Sequence, residues 1–263
     1  MPLPHDVRGS RGPAVVLLHA GIADRSMWTE LLPQLAAAGY RAIALDLPGF
    51  GEAKLAPESA PQREVLETMD ALGASRAVLV GNSFGGDVAL RIAAVAPERL
   101  RGLVLVSTPP VPLKPSPELQ EAWDEEAAAL ERGDIEAAVR AVVDAWTLPD
   151  APEALRRRVA RMQRRAFEHQ LGKEVVDAPE PLDADPDALR RVAIPVLIAA
   201  GESDMPDFRN GAQQLAQLFE RTELVTIPNA GHLAPLEQSE AFSDLLLEYL
   251  QAHAPIEGPR VLN

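Results

Sequence analysis

The 263-residue chain contains no cysteine. That excludes a disulfide framework, a thiolate nucleophile and a cysteine-based zinc site, and it leaves the redox compartment undetermined. No apolar run approaches the ~18 residues of a membrane-spanning helix. Residues 1–12 are polar and Pro/Gly-rich and lack the apolar core of a secretory signal. A cytoplasmic protein with no membrane partner is expected. Basic charge is also in deficit: 25 Lys and Arg against 39 Asp and Glu leave a net charge of −14. A surface of that sign repels phosphate backbones, so a nucleic-acid partner is not expected. There is no internal repeat.

What is present is ordinary for a soluble globular chain: 47% hydrophobic and 24% charged residues. The length suits one large α/β domain, or a core plus an insert. The stretch around which the rest is organised is Leu79-Val80-Gly81-Asn82-Ser83-Phe84-Gly85-Gly86. Its centre is the G-x-S-x-G pattern of a nucleophile elbow, with an apolar run before it and a helix-compatible run after it. A sharp strand-to-helix turn strains the serine backbone and lifts its hydroxyl clear of the sheet. Gly81 and Gly85 permit the close chain approach that such a turn requires. The same turn aims the Phe84 amide at the place where an oxyanion forms, near the positive end of the helix.

Along the chain, Pro13 to Leu18 and Tyr40 to Leu45 read as buried parallel strands, with a helix from Trp28 to Ala38 between them. Gln62 to Leu72 is helix-like, Ala77 to Val80 enters the elbow, and Leu100 to Val106 is the next strand. Strand–helix alternation at this spacing implies a doubly wound, mostly parallel sheet. Prolines 109, 110, 112, 115 and 117 then break the pattern, and from Glu118 to about Gly172 the periodicity is only helical. Alternation resumes with Ile194 to Ala200 (strand), Phe208 to Phe219 (helix), Glu223 to Ile227 (strand) and Pro235 to Ala252 (helix). The helical block reads as a cap over the carboxyl edge of the strands, where open α/β sheets bind ligands. Trp123, Trp146, Met162 and Phe167 suit either the apolar roof of a pocket beneath it or packing between cap and core. The basic run from Arg156 to Arg165 reads as a solvated helix face paired with acids such as Glu125 and Glu126.

A serine hydroxyl needs a general base, normally histidine, oriented by a carboxylate. Of five histidines, His5 falls in an irregular N-terminal stretch, and His169 and His253 fall on helices. His232 follows the last strand, on the edge where Ser83 emerges, and is the candidate base. His19 reads as a buried turn residue. The acid is sought after the strand ending at Ala200, where Glu202, Asp204 and Asp207 stand. Asp204 is chosen because Asp207 reads as the N-cap of the next helix. Besides Phe84, the second oxyanion amide is assigned to the turn after the first strand, at Gly21 with Ile22 next.

Together, His19-Ala20-Gly21 with Trp28, Asp46-Leu47-Pro48-Gly49-Phe50-Gly51, the elbow, Gly201-Glu202-Ser203-Asp204 and Gly231-His232 resemble the α/β-hydrolase superfamily over about residues 13–108 and 188–252. The nearest likeness is to small esterases and enol-lactone hydrolases. The resemblance implies an α/β-hydrolase fold with a helical cap inserted after the sixth strand: core 1–111 and 186–263, cap 112–185. It implies Ser83 as nucleophile, Asp204 as acid, His232 as base, Gly21 and Phe84 as oxyanion amides, and no metal or organic cofactor. The implied activity is carboxylesterase-like on a small-molecule ester. The alternatives are a lactonase, or a C–C hydrolase or perhydrolase on the same triad; a non-catalytic binding protein is the third reading. Two departures stand out. Ala20 occupies the place of the usual glycine in the oxyanion turn, and the segment before the first buried strand is too short for a full antiparallel hairpin, so a truncated sheet edge is expected.

Overall fold

The computed structural model describes residues 1–173 and 176–256. The strands are β1 (His5–Arg8), β2 (Ala14–Leu18), β3 (Arg41–Leu45), β4 (Glu58–Ser59), β5 (Ala77–Asn82), β6 (Leu100–Val106), β7 (Val176–Asp177), β8 (Val196–Gly201) and β9 (Thr222–Ile227). The α-helices in chain order are α1 (Leu31–Ala37), α2 (Pro61–Ala71), α3 (Phe84–Val95), α4 (Pro117–Glu131), α5 (Ile135–Trp146), α6 (Glu153–Gln170), α7 (Pro181–Ala184), α8 (Pro206–Ala216), α9 (Ala234–Glu237) and α10 (Ser239–His253). The main sheet runs β1-β3-β2-β5-β6-β8-β9, parallel except for β1, which pairs antiparallel with β3. That single edge strand is the truncated edge expected from the short N-terminal segment, and it places His5 in a strand rather than in irregular chain. Among the described residues, β4 and β7 form a separate two-stranded sheet that two-residue strands give no periodicity to foretell.

The central strands are buried on both faces, so they read as continuous apolar runs. In β2 every residue of Ala-Val-Val-Leu-Leu is buried. Alternate side chains enter different cores. Val15 and Leu17 join Val78, Val80, Val104 and Val106 under Leu35 of α1 and Leu246 of α10. Val16 and Leu18 join Leu79, Leu103 and Leu105 under Met69 of α2 and Val88 of α3. The helix read over Trp28 to Ala38 is two pieces. A 3-10 turn, Arg25–Trp28, is capped by the Asp24 carboxylate accepting from the Ser26 amide at 2.9 Å, and α1 follows it. The last helix is also divided, at Gln238, into α9 and α10.

The topology fixes where the site lies. From β2 the chain steps to β3 on one side, and β5 then lies on the other. The carboxyl ends of β2 and β5 therefore flank the switch point of the sheet, the crevice where such sheets bind ligands. Leu18 lies opposite Gly81 in the register, which puts the turn after β2 beside the elbow after β5. A β-carbon on Gly81 would overlap the Gly85 carbonyl oxygen, and one on Gly85 would overlap that of Leu18. Backbone cannot yield as a side-chain tip does, so Gly85→Ala is expected to cost about 1–3 kcal/mol of stability. A urea titration measures this directly; an unchanged midpoint would show that the turn can relax.

Candidate active site

Ser83 sits at the N-cap of α3 with φ 52° and ψ −114°. For a residue other than glycine that conformation costs about 1–3 kcal/mol and persists only where the surroundings impose it. The Ser83 amide donates to the Val106 carbonyl at 2.8 Å, and its carbonyl accepts from the Asp87 amide at 3.0 Å. The hydroxyl makes no capping bond to the helix. Phe84 is the first residue of α3, so its amide has no partner within the helix. A β-carbon placed on Gly21 would lie 3.4 Å from the Phe84 β-carbon, so the two backbones adjoin.

Ser83, Phe84, Gly21, Ile22 and His232 line one cavity of about 270 Å³. His232 Nδ1 lies 3.0 Å from Asp204 Oδ1. The same carboxylate oxygen accepts from the Met205 amide at 2.8 Å, and the Asp204 side chain is wholly buried. The acid loop is tied to the histidine loop by the Ser203 amide, which donates to the Ala230 carbonyl at 2.8 Å. The imidazole is packed against Phe208 and Trp146, with ring centroids 4.3 and 4.5 Å away. Those contacts leave the ring little freedom to turn.

The other carboxylates considered for the acid lie elsewhere. Glu202 accepts from the Asn229 amide. Asp207 does not cap α8, whose N-cap is Met205; its carboxylate accepts from the Ser116 amide and hydroxyl, both at 2.7 Å, tying the start of α4 to the core. His19 is a turn residue. Its Nε2 accepts from the Leu47 amide at 2.9 Å, which leaves Nδ1–H to donate to the Ala20 carbonyl at 2.8 Å. Both nitrogens are thereby committed to the neutral ring, and burial lowers its pKa. The unfolded chain takes up this proton near pH 6.5. Stability from His19 is therefore full above that value and is lost as pH falls from there toward the depressed folded pKa. Urea midpoints measured across that range should fall with pH in the wild type, and His19→Asn should flatten that fall.

Several residues that support the site carry no sequence signal of doing so. Asn82 Nδ2 donates to the carbonyls of Val106 and His232, each at 3.2 Å, so the strand that delivers the serine also holds the histidine loop. Glu237 accepts from the Gly231 amide at 2.7 Å. Trp123 and Trp146 line the cavity as a roof would. Met162 and Phe167 instead pack into the core. The arginines of α6 do pair with acids, but not with Glu125 or Glu126. Arg156 meets Asp144, Arg157 meets Glu153, Arg158 meets Glu30, Arg164 meets Glu136 and Arg165 meets Asp24. Glu126 faces the cavity.

A parallel sheet with an inserted helical region after β6 and a serine at the strand-to-helix elbow defines the α/β-hydrolase class. The chain belongs to the alpha/beta hydrolase fold family, whose model matches residues 13–239. It is 30% identical over 275 residues, 99% of either chain, to the Variovorax paradoxus protein named "Putative carbamate hydrolase RutD". It is 25% identical over 258 residues, 95% of this chain and 88% of the relative, to the 2-hydroxy-6-oxo-6-(2'-aminophenyl)hexa-2,4-dienoic acid hydrolase of Metapseudomonas resinovorans. A thermophilic esterase from Thermogutta terrifontis superposes with a TM-score of 0.76 at 26% identity, over 96% of this chain and 94% of that one. No helix among the described residues is long and apolar enough to cross a membrane.

Proposed function

We propose that this protein is a serine hydrolase that cleaves small carboxylic esters, with Ser83 as nucleophile, His232 as general base and Asp204 as its orienting acid. The observation that carries the reading is the pairing of a strained, uncapped Ser83 with a buried His232–Asp204 couple on one cavity. Ser83 Oγ attacks the substrate carbonyl while His232 Nε2 accepts its proton. Asp204 holds Nδ1–H and stabilises the imidazolium. The amides of Phe84 and Gly21 receive the oxyanion of the tetrahedral intermediate, and the Ile22 amide is the neighbouring candidate. Collapse expels the alcohol with the proton from His232, and a water, activated by the same ring, releases the acid. In this reading residues 112–185 form a cap over a core of 1–111 and 186–263. A cytoplasmic location belongs to the same proposal and is tested by fractionation.

The cavity, at about 270 Å³, falls just below the ~300–1,000 Å³ typical of ligand pockets. Short acyl groups are therefore expected to fit best. In a series of p-nitrophenyl esters, kcat/KM should be highest for acetate to butyrate and about tenfold or more lower for dodecanoate. A rate that climbs steadily with chain length contradicts this, and no turnover of any member speaks for a binding protein. Lactones presented to the same preparation distinguish an esterase from a lactonase on the same residues.

A further inference from the structure

The cavity that holds Ser83 also presents side chains that the hydrolytic steps do not use. Asp87 of α3, Glu126 of α4 and Gln163 of α6 all line it. Asp87 is matched by Arg91, one helical turn on, at 2.8 Å. Glu126 is not. Among the described residues no lysine or arginine lines the cavity, and burial raises the Glu126 pKa with no cation among them to oppose it. Gln163 is only 3% exposed, and among the described residues its Oε1 has no donor. A buried acceptor left in that state costs about 1–3 kcal/mol. An acid without a cation and an amide oxygen without a donor thus share one space. What both lack is a group that is positively charged and carries an N–H.

We infer that the cavity selects a substrate bearing a protonated amine remote from its scissile carbonyl, the ammonium donating to the Glu126 carboxylate and to Gln163 Oε1. The inference rests on the serine-hydrolase reading for the reaction, and on these two acceptors for the choice of substrate. A carboxylate in the same position would face Glu126 and Asp87 without a counter-charge, so anionic substrates are rejected. The overall charge of −14 draws cations toward the protein in the same sense.

Binding to Ser83→Ala protein separates this inference from the reaction. Calorimetry near neutral pH compares three inert amides of similar length: 4-aminobutanamide, a primary ammonium with three N–H donors; pentanamide, its carbon isostere; and glutaramate, an anion. The ammonium ligand should bind about tenfold or more tighter than the isostere, with glutaramate weakest. Adding Glu126→Gln should shrink the preference to below about threefold, and Gln163→Leu should reduce it in part. Equal or weaker binding of the ammonium ligand, no measurable binding of it, or a preference that survives Glu126→Gln overturns the inference. Ester turnover that depends on Ser83 would still stand in each of those cases. Conversely, absent turnover leaves the order of the three ligands readable.

Discussion

Ser83→Ala is expected to lower kcat/KM for p-nitrophenyl butyrate by about 10⁴-fold or more. The size of the effect follows from what the hydroxyl does. In the proposed mechanism, no oxygen at that position means no acyl-enzyme, and any remaining rate comes from water attacking a carbonyl polarised by the Phe84 and Gly21 amides. The substitution should leave the fold intact. The hydroxyl makes no capping bond, and the bonds that hold the turn use the Ser83 amide and carbonyl, which alanine retains. An unfolding free energy from urea titration within about 1 kcal/mol of wild type, together with lost turnover, assigns the loss to chemistry. Turnover reduced less than tenfold would place the nucleophile elsewhere.

Asp204→Asn should cost nearly as much, on the order of 10³–10⁴ in kcat, for a reason of tautomer rather than of charge alone. Asp204 Oδ1 accepts the Nδ1–H of His232, which leaves Nε2 unprotonated and able to take the serine proton. With its amide nitrogen turned to that ring, asparagine offers Nδ1 a donor instead, and the ring then carries its proton on Nε2, where it cannot act as a base. The magnitude is that of the equivalent substitution in the serine-protease triad. The Met205 amide, which bonds this same oxygen at 2.8 Å, favours the rotamer that keeps the asparagine oxygen facing Nδ1–H, and in that rotamer the loss comes from the missing negative charge that stabilises the imidazolium. A kcat within tenfold of wild type would show that another group orients His232. Glu237 is the nearest test of that alternative, because it holds the same loop through the Gly231 amide.

The parts of the molecule legible in the sequence are those whose physics is local. β2, β5 and β6 are uninterrupted apolar runs because both faces of each strand are covered. The elbow is legible because the steric need for Gly81 and Gly85 falls within five residues of chain. The positions of Asp204 and His232 could be read from the two strands that precede them. What was not legible depends on which surfaces meet. Glu126 is an acid among acids on α4, and nothing near it in sequence tells that it turns to the cavity while Glu136 pairs with Arg164. Met162 and Phe167 are apolar residues on α6 at a spacing that suits either a roof or a core, and packing puts them in the core. Asp207 precedes an aromatic and looks like a cap, yet Ser116, 91 residues earlier, takes its carboxylate.

Ser83, His232 and Asp204 are proposed to act as one unit at the carboxyl end of the sheet. A fluorophosphonate followed by peptide mass spectrometry tests it most directly. A single adduct is expected, on the peptide bearing Ser83, forming at least about 100-fold more slowly in Asp204→Asn. An adduct on any other residue, or an unlabelled protein that still hydrolyses short esters, would contradict it.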